Sequence, residues 1–242
     1  MPPSFSALPR LNFDAYREVF ADGEMGGVLL NTLTMALAAA SSCVLLAAAI
    51  AWLVARGAVA ASWRERLRTL AFLPQAVPSI VIGLALIFVY LWLPVPIYGT
   101  VWIIALAMLT KYLSYATGAV VAAQLQVAGE LEEASAIAGA GLYRTYRRVV
   151  LPLVGPALFA CFLWVVIHAV RELGVSLMLY NVHSQVLSTK VWLLWENGRV
   201  AEASAVGVMT VGVLLVLLAL PWVTRSLSRA GRAVTTSFGT AA

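Results

Sequence analysis

The stretch Glu130-Leu-Glu-Glu-Ala-Ser-Ala-Ile-Ala-Gly-Ala-Gly-Leu-Tyr-Arg-Thr-Tyr-Arg-Arg-Val-Val-Leu-Pro152 decides how the chain is read. It is a charged interval between two long apolar runs. Residues 130–138 favour helix, with acids in the first turn where the helix dipole stabilises negative charge. Gly139 and Gly141 permit a sharp break. Residues 142–150 read as a second short helix, with Arg147 and Arg148 near its end. Pro152 suits the first turn of the apolar helix that follows. The spacing thus predicts a helix–turn–helix, charged outside and apolar underneath.

Outward from this interval the chain is strongly apolar. Of 242 residues, 62% are hydrophobic and 11% charged, and the mean hydropathy is +0.91. An average soluble domain is about half apolar and about a quarter charged. A soluble fold of this length cannot bury so much apolar surface, so its solvent is a bilayer. The formal charge is +5, but the arginines sit in short clusters between apolar runs. That suits membrane topology rather than a phosphate-binding face, and no nucleic-acid partner is expected. Cys43 and Cys161 each lie inside an apolar run without a partner at metal-ligand spacing, and read as small core residues. The first 27 residues lack an apolar core and carry Asp14, Glu18, Asp22 and Glu24, unlike a secretory leader.

Five runs approach the roughly 20 apolar residues a membrane crossing needs. They are residues 28–54, 70–93, 99–121, 153–180 and 205–223. The second contains Pro74 and Pro78, which neighbouring helices can accommodate as a kink, and Gly83, which permits close packing. Five crossings put the termini on opposite sides. Arg56, Arg64, Arg66, Arg68, Arg144, Arg147, Arg148, Arg225, Arg229 and Arg232 fall on one side; Arg10, Arg17, Lys190 and Arg199 fall on the other. Cytoplasmic loops carry the Lys/Arg excess. The expected topology is an outside N-terminal arm (1–27), a membrane domain (28–225) and a cytoplasmic tail (226–242). The interval 129–152 is then cytoplasmic.

The spacing inside that interval resembles the EAA loop of ABC importer permeases: E-A-A, three residues, G, nine residues, I-x-L-P. Glu133, Ala134 and Ser135 fill the triplet, Gly139 follows, and Val149, Leu151 and Pro152 close the pattern. Ser135 stands for alanine and Val149 for isoleucine. Asn31-Thr32-Leu33, Phe72 to Gly83, Arg171-Glu172-Leu173-Gly174, Leu177-Met178-Leu179 and Trp192 to Gly198 are similar to iron(III)-, thiamine- and polyamine-type permeases. The last three of these segments, from Arg171 onward, look most like the C-terminal half of ferric-iron permeases. The resemblance implies an all-α polytopic bundle of the type I ABC importer permease fold in the bacterial inner membrane. It also implies that these seven loop residues form a coupling helix docked on a separate ATPase, present in two copies. A periplasmic substrate-binding protein and membrane lipid complete the expected partners.

No G-x-x-x-x-G-K-[ST] stretch occurs, so ATP hydrolysis is assigned to the partner; no cofactor and no metal site are expected. One chain supplies one membrane half, so it is expected to pair with itself or a similar chain, or to be half of a duplicated protein. Leu11 to Tyr16 is similar to the segment between such halves. Iron(III) is the expected cargo by resemblance; thiamine, polyamines and phosphonates remain open.

Charges within the spans are functional candidates. Lys111 falls about 18 Å into the third span at a rise of about 1.5 Å per residue, beside Thr110, Tyr112, Ser114 and Tyr115. Arg171 and Glu172 come near the outer end of the fourth, and His168 is four residues from Glu172. Lys111, Tyr115, His168, Arg171 and Glu172 are the candidate translocation-path residues. His183 is placed in an outer loop. An ion-coupled secondary transporter using Lys111, Arg171 and Glu172 is the competing reading; five spans without an inverted repeat argue against it. An intramembrane enzyme lacks a Gly-x-Ser-x-Gly or His-Glu-x-x-His motif.

Overall fold

A computed structural model of the protein describes residues 13–21, 23–55, 60–93 and 96–238. Arg10, Leu11, Asn12, Asp22, Arg56, Pro94 and the last residues of the tail, 239–242, lie outside the described residues. Among the described residues the chain is helical with no strand. Its helices are α1 (Asp14–Ala21), α2 (Met25–Ala55), α3 (Ala61–Phe72), α4 (Ser79–Trp92), α5 (Val101–Leu125), α6 (Gly129–Ile137), α7 (Leu142–Thr145), α8 (Leu151–Arg171), α9 (Gly174–Leu179), α10 (Leu187–Glu196) and α11 (Val200–Phe238). Among the described residues, four continuous helical stretches are long and apolar enough to cross a membrane: Met25–Val54, Val101–Leu125, Leu142–Arg171 and Val200–Ala219. The pair formed by α3 and α4 makes a fifth if counted as one broken span.

The core is built on small residues. Ala36, Ala39, Ala40, Cys43, Ala47 and Ala51 form a fully buried stripe on α2. Repeats of three and four residues keep them on one helix face. Without bulky side chains, α2 approaches α5 and α8 closely, and helices in lipid associate largely through such packing. Ile103, Ile104, Met108, Ala116 and Val120 of α5 and Cys161, Val165 and Ala169 of α8 complete this core. Cys43 and Cys161 are both free thiols inside it.

A second cluster joins Val19 of α1, Met25 and Val28 of α2, Leu187 and Leu194 of α10, and Ala203 and Val206 of α11. The Asn31-Thr32 pair fastens α2 to the loop before α10. The Asn31 amide donates to the His183 and Gln185 carbonyls at 3.0 and 3.1 Å, and the Thr32 hydroxyl accepts from the Leu187 amide at 2.8 Å. Beside it the Lys190 ammonium lies 2.8 Å from the Glu24 carboxylate. The hydrogen bond and charge of Lys190 hold the Glu24 carboxyl below its ordinary value of 4.5. A carboxylate with a depressed folded-state pKa contributes stability that is complete above the ordinary value and lost as pH falls through the folded one. Thermal unfolding in detergent is therefore expected to show a loss beginning below about pH 4.5 that Glu24→Gln removes. Because Glu24 is exposed, the effect is below about 1 kcal/mol.

Three features depart from the sequence expectation. The second span is broken rather than kinked. Residues Leu73–Ala76 tighten into a 3-10 turn, Val77 is extended with ψ 126°, and α4 leaves at 110° to the preceding helix. The residue before a proline avoids the helical region, and Pro78 has no amide to continue the ladder. The interval 142–150 is not a separate helix: Leu142–Arg171 runs without interruption through a π-helical segment, Tyr146–Val150. Pro152 and Pro156 remove two amide donors just beyond it, and the wider π turn takes up the misfit. Finally, the fourth span ends at Arg171 rather than Tyr180, and Glu172 is extended with ψ 114°. The short helix α9 then folds back against α4. There a Cβ on Gly83 would stand 2.9 Å from Met178 Cβ. Gly83→Ala is expected to cost about 1–3 kcal/mol through overpacking, measurable as a lowered unfolding temperature. Beyond the expected fifth span, α11 continues to Phe238 and includes most of the segment assigned to the tail.

Candidate functional site

Two groups of residues carry the functional candidates. The first is the connection 129–152. Glu133, Ala134 and Ser135 lie on α6, whose first turn holds Glu130 and Glu132. The helix is closed by Gly139, at φ +79°, a region that costs an L-residue about 1–2 kcal/mol. Amides of Gly139 and Ala140 return to the Ala136 and Ser135 carbonyls at 2.9 and 3.0 Å. The Ser135 hydroxyl pairs with that of Thr145 at 2.9 Å, tying α6 to α7. Val149 and Leu151 are half-buried about two turns into the long helix, and Pro152 is exposed.

The face presented outward differs from the expectation of charge outside and apolar underneath. Ile137 is 89% exposed, Leu142 76% and Tyr143 69%, while Glu133 and Ala134 are also exposed. Glycine and alanine leave the backbone near this surface, and among the described residues nothing beyond its chain neighbours lies within 4 Å of a Cβ built on Gly139. Such a projecting surface of small and apolar residues can seat in a groove of another protein.

The second group gathers where α8 stops. The Glu172 carboxylate forms an ion pair with Lys111 of α5. The Lys111 ammonium also donates to Ser79 Oγ at 2.7 Å, at the start of α4. The Tyr112 hydroxyl lies 3.1 Å from Glu172 Oε2 and 3.2 Å from the His168 carbonyl. The Glu172 carbonyl, freed by the end of the helix, accepts from the hydroxyls of Ser176 and Ser188, both at 2.9 Å. Gly174 leaves room for this junction: a Cβ there would stand 3.2 Å from Ser79 Cβ and 3.3 Å from Glu172 Oε1. One residue thus joins α4, α5, α9 and α10 to the end of α8.

Tyr115 and His168 belong to a neighbouring column of rings. Tyr115 stacks on Trp164 with centroids 3.6 Å apart, and Trp164 stacks on His168 at 3.7 Å. Tyr112 meets Trp164 edge-on at 5.7 Å. His168 Nδ1 lies 2.8 Å from the Trp164 carbonyl; a carbonyl only accepts, so this nitrogen carries the proton. Tyr115 is 44% exposed at the end of the column, and Arg171 is exposed beyond it.

The structure therefore divides the five path candidates. Lys111 and Glu172 meet directly, Tyr115 and His168 share the stack, and Arg171 stands apart from the ion pair. His168 and Glu172 meet through Tyr112 rather than along one helix face, because the helix has ended. Ser79, Trp164 and Ser188 escaped the sequence reading. Trp164 carried a usable signal, preceding His168 by four residues and Arg171 by seven. Ser79 and Ser188 carried none, being brought to the site only by the breaks at Pro78 and Glu172.

Residues 44–233 match the model of a family described as binding-protein-dependent transport system inner membrane component. The chain is 26% identical over 147 residues to a 2-aminoethylphosphonate transport system permease protein of Salmonella typhimurium, covering 61% of this chain and 56% of that one. It is 27% identical over 217 residues to a ferric transport system permease protein of Actinobacillus pleuropneumoniae, covering 88% of this chain but 31% of that one. The matches thus span about half of the first relative and a third of the second. A bacterial ABC transporter involved in import of the acidic polysaccharide alginate contains a chain of similar fold, with TM-score 0.70 and 19% identity over 91% of this chain and 84% of that one.

Proposed function

The chain belongs to the family of binding-protein-dependent transport system inner membrane components, and we propose that it is the membrane path of an ATP-driven importer that takes iron(III) from a periplasmic binding protein. Its α-helical bundle is that of ABC importer permeases. The observation that carries the reading is the projecting α6–α7 surface, closed by the left-handed Gly139 and continued as one helix to Arg171. An ATPase seated on Glu133, Ala134, Ser135 and Gly139 would move that helix directly, with Val149, Leu151 and Pro152 at its root.

In this reading the loop faces the cytoplasm, the N-terminus lies outside, and a second permease half, identical or similar, completes the path. Tyr115, His168 and Arg171 border that path, and the Lys111–Glu172 pair holds its outer mouth. Iron(III) is favoured by the ferric relative, whose match covers 88% of this chain. A phosphonate is the second reading, favoured by the aminoethylphosphonate relative.

The test is ATP hydrolysis in liposomes containing this chain, a candidate second half and a candidate ATPase. Stimulation by an iron-loaded binding protein supports the first reading. Stimulation by a phosphonate-loaded one replaces the cargo and keeps the mechanism. No complex with any ATPase, with both halves supplied, refutes the transport role.

A further inference from the structure

Helix α3 is not used by the mechanism above. It meets α4 across the Pro74–Pro78 break at 110°. With α4 set along the bilayer normal, a helix at that angle lies near the plane of the bilayer. Its last turn is pinned to the bundle: the Ala71 carbonyl accepts from Ser114 of α5 at 2.6 Å, and Ala71 is buried. The stripe about a quarter-turn away from Ala71 is exposed. Trp63 is 57% exposed and Leu70 64%, and they flank Arg66 at helical spacings of three and four. The Arg66 guanidinium stands 5.4 Å from the centre of the Trp63 ring.

Ring, cation and leucine on one stripe of a helix parallel to the membrane match the chemistry of a phospholipid boundary. Tryptophan prefers the headgroup level, leucine the acyl chains, and arginine the phosphate. The helix carries three arginines against Glu65 alone, which selects anionic over zwitterionic lipid. We propose that α3 is an interfacial helix whose Trp63–Arg66–Leu70 stripe seats an anionic phospholipid, with Arg66 on the headgroup phosphate. The site stands apart from the coupling loop and from the Lys111–Glu172 junction, and it does not depend on the nature of the cargo.

The full chain is reconstituted in nanodiscs containing brominated phosphatidylglycerol or brominated phosphatidylcholine at equal mole fraction. The emission of Trp63 is taken as the difference between wild type and Trp63→Phe. Phosphatidylglycerol is expected to quench this emission more strongly than phosphatidylcholine, and aqueous iodide weakly. Arg66→Gln is expected to lower the preference for the anionic lipid about fivefold, following the roughly 1 kcal/mol that one basic residue gains at an anionic surface. Arg66→Glu should lower it further. Equal quenching by the two lipids, an unchanged preference in Arg66→Gln, or strong iodide quenching overturns the site. So does loss of lipid quenching when a candidate ATPase is bound, which would assign the stripe to a protein partner.

Discussion

Replacing Lys111 with methionine is expected to destabilise the chain by about 3 kcal/mol, because it leaves a mostly buried carboxylate without its cation. The Glu172 side chain is 13% exposed and the Lys111 side chain 23%, so water recovers little of the lost interaction. Glu172→Gln should cost less, since an amide still accepts from Tyr112 and Lys111 retains Ser79. The double replacement Lys111→Met with Glu172→Met should be more stable than Lys111→Met alone, as a buried pair exchanged for apolar groups is often close to neutral. Thermal unfolding of the wild type, Lys111→Met, Glu172→Met and the double variant in one detergent gives the coupling directly. If Lys111→Met unfolds with the wild type, the junction does not hold the end of α8.

The second large effect belongs to Gly139. Its φ of +79° strains any residue with a Cβ, yet among the described residues nothing beyond its chain neighbours lies within 4 Å of that Cβ. Gly139→Trp should therefore insert into the membrane and remain folded, at a local cost of about 1–2 kcal/mol. What it should lose is ATP hydrolysis stimulated by loaded binding protein, by at least about tenfold, the equivalent of 1.4 kcal/mol at the docking surface. Gly139→Asn is the control, because asparagine tolerates the left-handed region and adds little bulk. Equal loss in both variants would place the requirement in the backbone of the turn. Full activity in Gly139→Trp would remove this surface from the coupling.

Much of this was legible in the sequence because the bilayer imposes a simple grammar of length and charge. Four expected spans recur as long helices, and the break expected at Gly139 separates α6 from the helix that starts at Leu142. Gly83 was likewise read as a close contact, and its partner turned out to be Met178. The errors share one cause. Hydropathy reports which residues belong in lipid, not whether the backbone stays helical there. Residues 70–93 are apolar throughout, yet Val77 is extended. Residues 153–180 form one apolar run, yet the helix ends at Arg171 so that Glu172 can turn toward Lys111. Proline marked the first break without giving its angle, and nothing local marked the second. The exposure of Ile137, Leu142 and Tyr143 was hidden for a related reason: an apolar residue in a loop next to the membrane is naturally assigned to the buried side, whereas here a partner's groove can receive it.

The uninterrupted helix from Leu142 to Arg171 has a mechanical consequence. Its 30 residues make a rod about 45 Å long, with the α6–α7 turn at one end and the Lys111–Glu172 junction at the other. A rod pivoting near one end by about 7° sweeps its far tip through about 5 Å, one helical pitch. The π-helical turn at Tyr146–Val150 begins four residues from Leu142, the end the proposed ATPase contact would drive, and there the hydrogen-bond ladder is already loosened. In the proposed coupling, a loosened turn thus lies beside the surface on which an ATPase would push. Motion applied there would either be absorbed in that turn or be carried along the rod to the ion pair at its tip, and the stiffness of these five residues would set which.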